Sequence, residues 1–108
     1  MNHFIFFPGV GLRSHFWHII VPKLEEKSIE YSLVDLDFSS LDNAFESSIR
    51  SVKEIMKKYP DRNFVLVGHS LGGLFAIYVA QQLGDVIHKL IFVNTCLLYT
   101  SDAADDHH

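Results

Sequence analysis

Seven residues constrain this chain more than any others: Val67, Gly68, His69, Ser70, Leu71, Gly72 and Gly73. They follow a short apolar run over residues 64–67 and open a helix-like run over 71–83. The pattern is G-x-S-x-G between a strand and a helix, which presents a serine at a sharp, strained turn. Such a turn needs neighbours with almost no side chain, and Gly68 and Gly72 stand two positions to either side of Ser70. A helix that begins just after Ser70 aims N–H groups without helical partners at the same spot, where developing negative charge is stabilised. Ser70 is therefore the candidate nucleophile. The plainer alternative is an ordinary glycine-rich turn.

The rest of the chain reads as alternating elements. Residues 3–7 form an apolar run closed by Pro8 and Gly9, as a buried parallel strand would be. Over residues 15–27, Phe16, Ile20 and Leu24 recur at helical spacing, with Trp17 and Val21 beside them and Ser14 as N-cap. Pro22 inside that run predicts a break or a restart. Residues 30–37 read as a second strand. Residues 41–58 are a clear amphipathic helix, with Phe45, Ile49, Val52, Met56 and Tyr59 at spacings of three and four. Ser40 or Asp42 caps it, and Pro60, Asp61 and Arg62 end it. Residues 63–67 form a third strand. The next helix places Leu74, Phe75, Tyr78 and Val79 in the core, with Gly84 as C-cap. Residues 86–94 form a fourth strand. The order β-α-β-α-β-α-β predicts an α/β fold with a parallel sheet of about four strands and alternating helices.

Composition narrows the function classes. The 108 residues are 48% hydrophobic and 20% charged, which is an ordinary globular balance. A net charge of −4 without a basic patch gives no reason to expect a nucleic-acid partner. No apolar run approaches the roughly 18 residues of a membrane span, and residues 4–7 are too short for a signal h-region. The single cysteine, Cys96, excludes an internal disulfide. These features fit a cytoplasmic setting. With no metal-ligand cluster, dinucleotide fingerprint or P-loop in the sequence, no metal or cofactor is expected.

Three stretches carry a resemblance: FIFFPGVGLRSHFW at residues 4–17, YSLVDLDF at 31–38 and VGHSLGGLFAIYVA at 67–80. In that order, residues 2–95 resemble the N-terminal half of an α/β-hydrolase-fold protein. The flavour is that of small acyl hydrolases, such as carboxylesterases that cleave methyl esters of acyl carriers. The resemblance implies a strand order of second, first, third, fourth. It implies that Ser70 attacks a small acyl ester or thioester while the N–H groups of Val10 and Leu71 hold the oxyanion, with Gly68 and Gly72 as the elbow glycines. An acid and a histidine would follow later in the chain. Pro8 stands where such proteins usually carry histidine, although Gly9 is kept. Asp35 and Asp37 precede Ser70, so the same order speaks against either as the triad acid. His3, His15 and His18 read as structural or surface residues. His69 is too close to Ser70 in sequence to reach its hydroxyl. Arg13 reads as a solvated loop charge, with recognition of a carboxylate or phosphate as the alternative. Two other functions fit the same residues: a lipase of the GHSLGG kind, and a non-catalytic binding protein of the same fold.

The last stretch does not continue the alternation. Residues 96–106, CLLYTSDAADD, resemble the conceptual translation of a transposon-type sequencing adapter. The expectation is an N-terminal half domain over 1–95 and a non-native or disordered tail over 96–108. Proteins of the resembled family are typically more than twice this length, so the chain is expected to be a fragment, inactive as it stands. Sequencing the source locus across the codon for Thr95 checks this. The expected result is a reading frame that runs on to an Asp and a His in late loops; a locus that encodes CLLYTSDAADD and stops overturns it.

Overall fold

The computed structural model describes residues 1–8 and 13–93, and of residues 13–17 the backbone alone. Four strands alternate with three helices: β1 (Asn2–Phe7), α1 (Arg13–Glu26), β2 (Tyr31–Leu33), α2 (Leu41–Lys58), β3 (Asn63–His69), α3 (Gly72–Leu83) and β4 (Ile87–Val93). A 3-10 turn over Gly84–Val86 precedes β4. Every pairing is parallel, and the order is β2-β1-β3-β4. That is the α/β architecture and strand order expected above.

The central strands explain the layering. β1 and β3 are covered on both faces, so their sequences are nearly continuous in apolar residues. Alternate side chains enter opposite layers. Ile5, Phe7, Phe64 and Leu66 pack with Val52 of α2 and with Phe75, Ala76 and Val79 of α3. Phe6, Val65 and Val67 pack with Ile20 and Leu24 of α1. Helix α2 starts where Ser40 Oγ accepts the Asn43 N–H at 3.0 Å, a cap of the kind that contributes about 1 kcal/mol. Ser40, and not Asp42, is therefore the cap. The rings of Phe45 and Phe75, 5.0 Å apart, and of Phe45 and Tyr78, 4.7 Å apart, join α2 to α3.

Four sequence-based expectations are corrected. Pro22 does not break α1, which runs through it. Both Pro22 and His18, whose carbonyl Pro22 leaves without an N–H donor, are exposed, so water can satisfy that carbonyl. Helix α1 also begins at Arg13, which makes Ser14 its second residue and not its cap. Leu74 is 39% exposed, because Gly72, Gly73, Phe75, Ala76 and Val79 already fill the inward arc of α3. The second strand is three residues long, not eight. Val34 N–H still reaches the Phe6 carbonyl at 2.9 Å. Asp35 N–H then donates to Ser51 Oγ at 3.1 Å, and Asp37 N–H to Ser47 Oγ at 2.9 Å. Two serines one turn apart on α2 thus take up N–H groups that would otherwise face outward from the sheet edge. On the opposite flank, nothing among the described residues pairs with the outer edge of β4.

The amino-terminal ends of the strands are tied together by a polar cluster. His3 of β1 is fully buried, bonded through Nδ1 to Glu30 Oε1 at 2.8 Å and through Nε2 to Ser32 Oγ at 2.7 Å. Arg62, just before β3, donates to both Glu30 oxygens, from Nε at 2.8 Å and from Nη2 at 3.1 Å. These Arg62 bonds, followed by the His3 bond, pull the Glu30 carboxyl from 4.5 down to about 2. A depressed carboxyl pKa contributes stability that is present above the unfolded value and lost as pH falls through the folded one. The unfolding free energy should therefore decline more steeply between pH 4.5 and pH 2 in the parent than in Glu30→Gln, as read by urea titrations across that window.

Candidate functional site

Strand β3 ends at His69, and α3 begins at Gly72, so the chain must reverse its course within two residues. Ser70 makes the reversal in the left-handed region, at φ 56°. A non-glycine residue held there stores on the order of 1–3 kcal/mol, which the surroundings must offset. They do so from both sides. Ser70 N–H donates to the Val93 carbonyl at the end of β4, at 3.2 Å, and the Ser70 carbonyl accepts from Gly73 N–H at 3.0 Å. The Leu71 carbonyl accepts from Leu74 N–H at 3.0 Å, which closes the first turn of α3.

The glycines are explained by distances. A Cβ on Gly72 would lie 2.7 Å from both the Phe7 carbonyl carbon and the Pro8 carbonyl oxygen, and closer still to the Phe7 carbonyl oxygen. A Cβ on Gly68 would lie 2.9 Å from Gly73 N and closer to Gly73 Cα. Neither backbone neighbour has room to yield. The two glycines therefore let α3 start against the end of β1 and the end of β3 together.

Gly68, Ser70, Leu71 and Gly72 are thus brought onto one turn. Ser70 is half-buried and Leu71 is 41% exposed, so a molecule arriving from solvent can reach both. Ser70 lies at the positive end of a helix, where anionic charge is favoured. Val10, the other expected oxyanion donor, lies outside the described residues. The Pro8 carbonyl lies beside Gly72. His69 is 7% exposed, and burial pushes its imidazole pKa below the ordinary value, toward the neutral form. It is turned into the protein while Ser70 meets the surface.

Sequence reasoning missed the Val93 carbonyl as the partner of Ser70; the signal was available, because in a parallel sheet the strand neighbouring β3 ends at the same level. It also missed the apolar character of this pole. Phe38 and Leu41 enter α2, and Leu71 and Leu74 open α3; all four are at least 39% exposed. Two depressions, of about 500 and 150 Å³, run along α2, and Ser70 lines neither. Among the described residues, no group of three or more His, Cys, Asp or Glu could hold a metal ion, and no helix is long and apolar enough to cross a membrane.

Comparison with known proteins agrees with this geometry. The sequence profile of a family described as "alpha/beta hydrolase fold" matches residues 2–106. A rice protein (Oryza sativa subsp. indica) named "Probable esterase PIR7A" is 25% identical over 104 residues, covering 89% of this chain and 40% of that protein. "Methylesterase 17" of Arabidopsis thaliana is 24% identical over 112 residues, covering 96% of this chain and 41% of that protein. The crystal structure of polyneuridine aldehyde esterase superposes with a TM-score of 0.68 at 22% identity, covering all of this chain and 48% of that one. The chain therefore spans less than half the length of each.

Two substitutions test the elbow. Gly72→Ala should destabilise the fold by about 3 kcal/mol or more, since its Cβ meets backbone on β1. Ser70→Gly should stabilise it by about 1 kcal/mol, by releasing the left-handed strain. Urea unfolding measured side by side reads both signs.

Proposed function

Because this chain belongs to the alpha/beta hydrolase fold family, we propose that it carries the nucleophile half of an ester or thioester hydrolase, with Ser70 as the attacking residue. The observation that carries this reading is the left-handed Ser70 at a strand-to-helix turn, flanked by glycines that admit no side chain. The esterase names of two relatives support an ester as the bond attacked.

Ser70 Oγ adds to the substrate carbonyl carbon and gives its proton to a histidine base, which a carboxylate holds in the correct tautomer. Charge moves onto the carbonyl oxygen, where the N–H groups of Leu71 and Val10 stabilise it. The intermediate collapses to an acyl-serine as the alkoxide or thiolate leaves with a proton from the histidine. Water, activated by the same histidine, then releases the acid. The apolar side chains around the elbow, Leu71 and Leu74 among them, suit an acyl group of low polarity. The order of residues in this fold places such a histidine and carboxylate later in the chain than Ser70.

Steady-state assays with p-nitrophenyl acetate check this. The 108-residue chain should show no Ser70-dependent turnover. In a protein that supplies the histidine and carboxylate to this half, Ser70→Ala should lower kcat/KM by at least about 1000-fold. Undiminished activity in a folded Ser70→Ala protein overturns the reading.

A further inference from the structure

A second serine–histidine–carboxylate line lies at the opposite pole of the sheet. His3 Nε2 is 2.7 Å from Ser32 Oγ, and His3 Nδ1 is 2.8 Å from Glu30 Oε1. Arg62 grips the same Glu30 carboxylate and keeps it ionised. An ionised carboxylate can only accept, so the proton in the His3–Glu30 bond sits on Nδ1. In the neutral ring, Nε2 is then the acceptor for the Ser32 hydroxyl. A hydroxyl bonded to a base, with the base held in one tautomer by a third group, is the arrangement that activates a nucleophile.

The ring has little freedom to leave this arrangement. Tyr59 stacks on it with centroids 4.2 Å apart, and Phe64 meets it edge-on at 6.0 Å. Ser32, by contrast, is half-buried on the edge strand β2. Phe4 N–H donates to the Glu30 carbonyl and Val34 N–H to the Phe6 carbonyl, so residues 30, 32 and 34 bond toward β1. The alternation of a parallel ladder then turns the N–H of Leu33, the residue after Ser32, outward from the sheet edge. A donor of that kind can meet a developing oxyanion.

We propose that Ser32 is a second nucleophile of this chain, separate from Ser70, which takes a small acyl group from activated esters through the Ser32–His3–Glu30 line. Ser32 Oγ forms a bond to the carbonyl carbon, and the bond from that carbon to the leaving oxygen breaks. The hydroxyl proton passes to His3 Nε2, where the Glu30 carboxylate balances the imidazolium charge, and the phenoxide leaves as the anion. Hydrolysis of the product needs a water on His3 Nε2, and the ring is fully buried beneath Tyr59. The acyl group therefore stays on Ser32, and the site is one of covalent modification, without turnover. Ser32 lines neither depression along α2.

The test uses the 108-residue chain carrying Ser70→Ala, treated with p-nitrophenyl acetate and followed by intact mass and peptide mapping. Ser32 should be acetylated at least about tenfold faster than Ser28, an exposed serine outside the cluster, and Ser32→Ala should remove that label. Glu30→Gln, checked for folding by circular dichroism, should slow labelling of Ser32 about tenfold and leave Ser28 unchanged. Labelling of Ser32 no faster than of Ser28 overturns the proposal and leaves the cluster as a structural tie. An undiminished Ser32 rate in folded Glu30→Gln does the same. The ratio of Ser32 to Ser28 is read without touching the cluster, so a variant that fails to fold does not shelter the proposal. Ser70 is missing from the test protein, so the outcome is independent of the reading given to Ser70.

Discussion

At the start of α3 the main chain of Gly72 lies against the carbonyls of Phe7 and Pro8, while Gly68 lies against the backbone of Gly73. Three elements converge there with nothing between them but backbone. The helix start, the end of β1 and the end of β3 are held at distances that a methyl group would forbid. The left-handed Ser70 follows from this, since a chain that leaves β3 and must enter α3 at so close an approach has no room for a wider turn. The layers on either side of the sheet supply the stability against which that turn is held: Phe75, Ala76 and Val79 anchor α3 on one face, and Phe6, Val65 and Val67 meet α1 on the other.

How much of this could be read from residue order depends on the range of the interaction. The elbow was legible because its constraint is local: two glycines, a serine and an apolar strand within a few positions. Helix α2 was legible for the same reason, since a stripe at spacings of three and four and a capping serine lie in one segment. The extent of β2 was not. Asp35 and Asp37 look like strand residues by pattern, yet their N–H groups go to Ser51 and Ser47, and no local rule announces a partner 10 to 16 residues away. Leu74 fails similarly, because helical spacing identifies a face without saying that glycine and alanine already fill it.

The His3 cluster is the largest feature that residue order hid. Its members come from the starts of β1, β2 and β3 and from the end of α2. Each alone is unremarkable: a histidine at a strand end, a glutamate at the start of another, an arginine after a proline. The parallel topology brings the amino ends of successive strands to one pole, and only there do they meet. The sheet is consequently two-ended in chemistry as well as in direction. At the carboxyl pole a strained turn and apolar side chains face solvent. At the amino pole, roughly 20 Å away along β3 at about 3.3 Å per residue, ionised and hydrogen-bonded groups gather around a histidine buried beneath Tyr59.

The position of β1 has a consequence for how the chain acquires its shape during synthesis. β1 leaves the ribosome well before its main neighbour, β3, with which it pairs from Asn2↔Asn63 to Phe7↔Gly68. At translation rates of about 5–20 residues per second, a strand with an apolar run over residues 4–7 waits on the order of 3–12 s for the strand that will cover one of its edges. In that interval it can find only the three residues of β2 and the inward faces of α1 and α2. Long-range parallel pairing is slow in any case. A strand buried at the centre of the sheet thus stays exposed to other nascent chains, and chaperone occupancy over residues 2–7 becomes part of the cost of making a central strand ahead of its main neighbour.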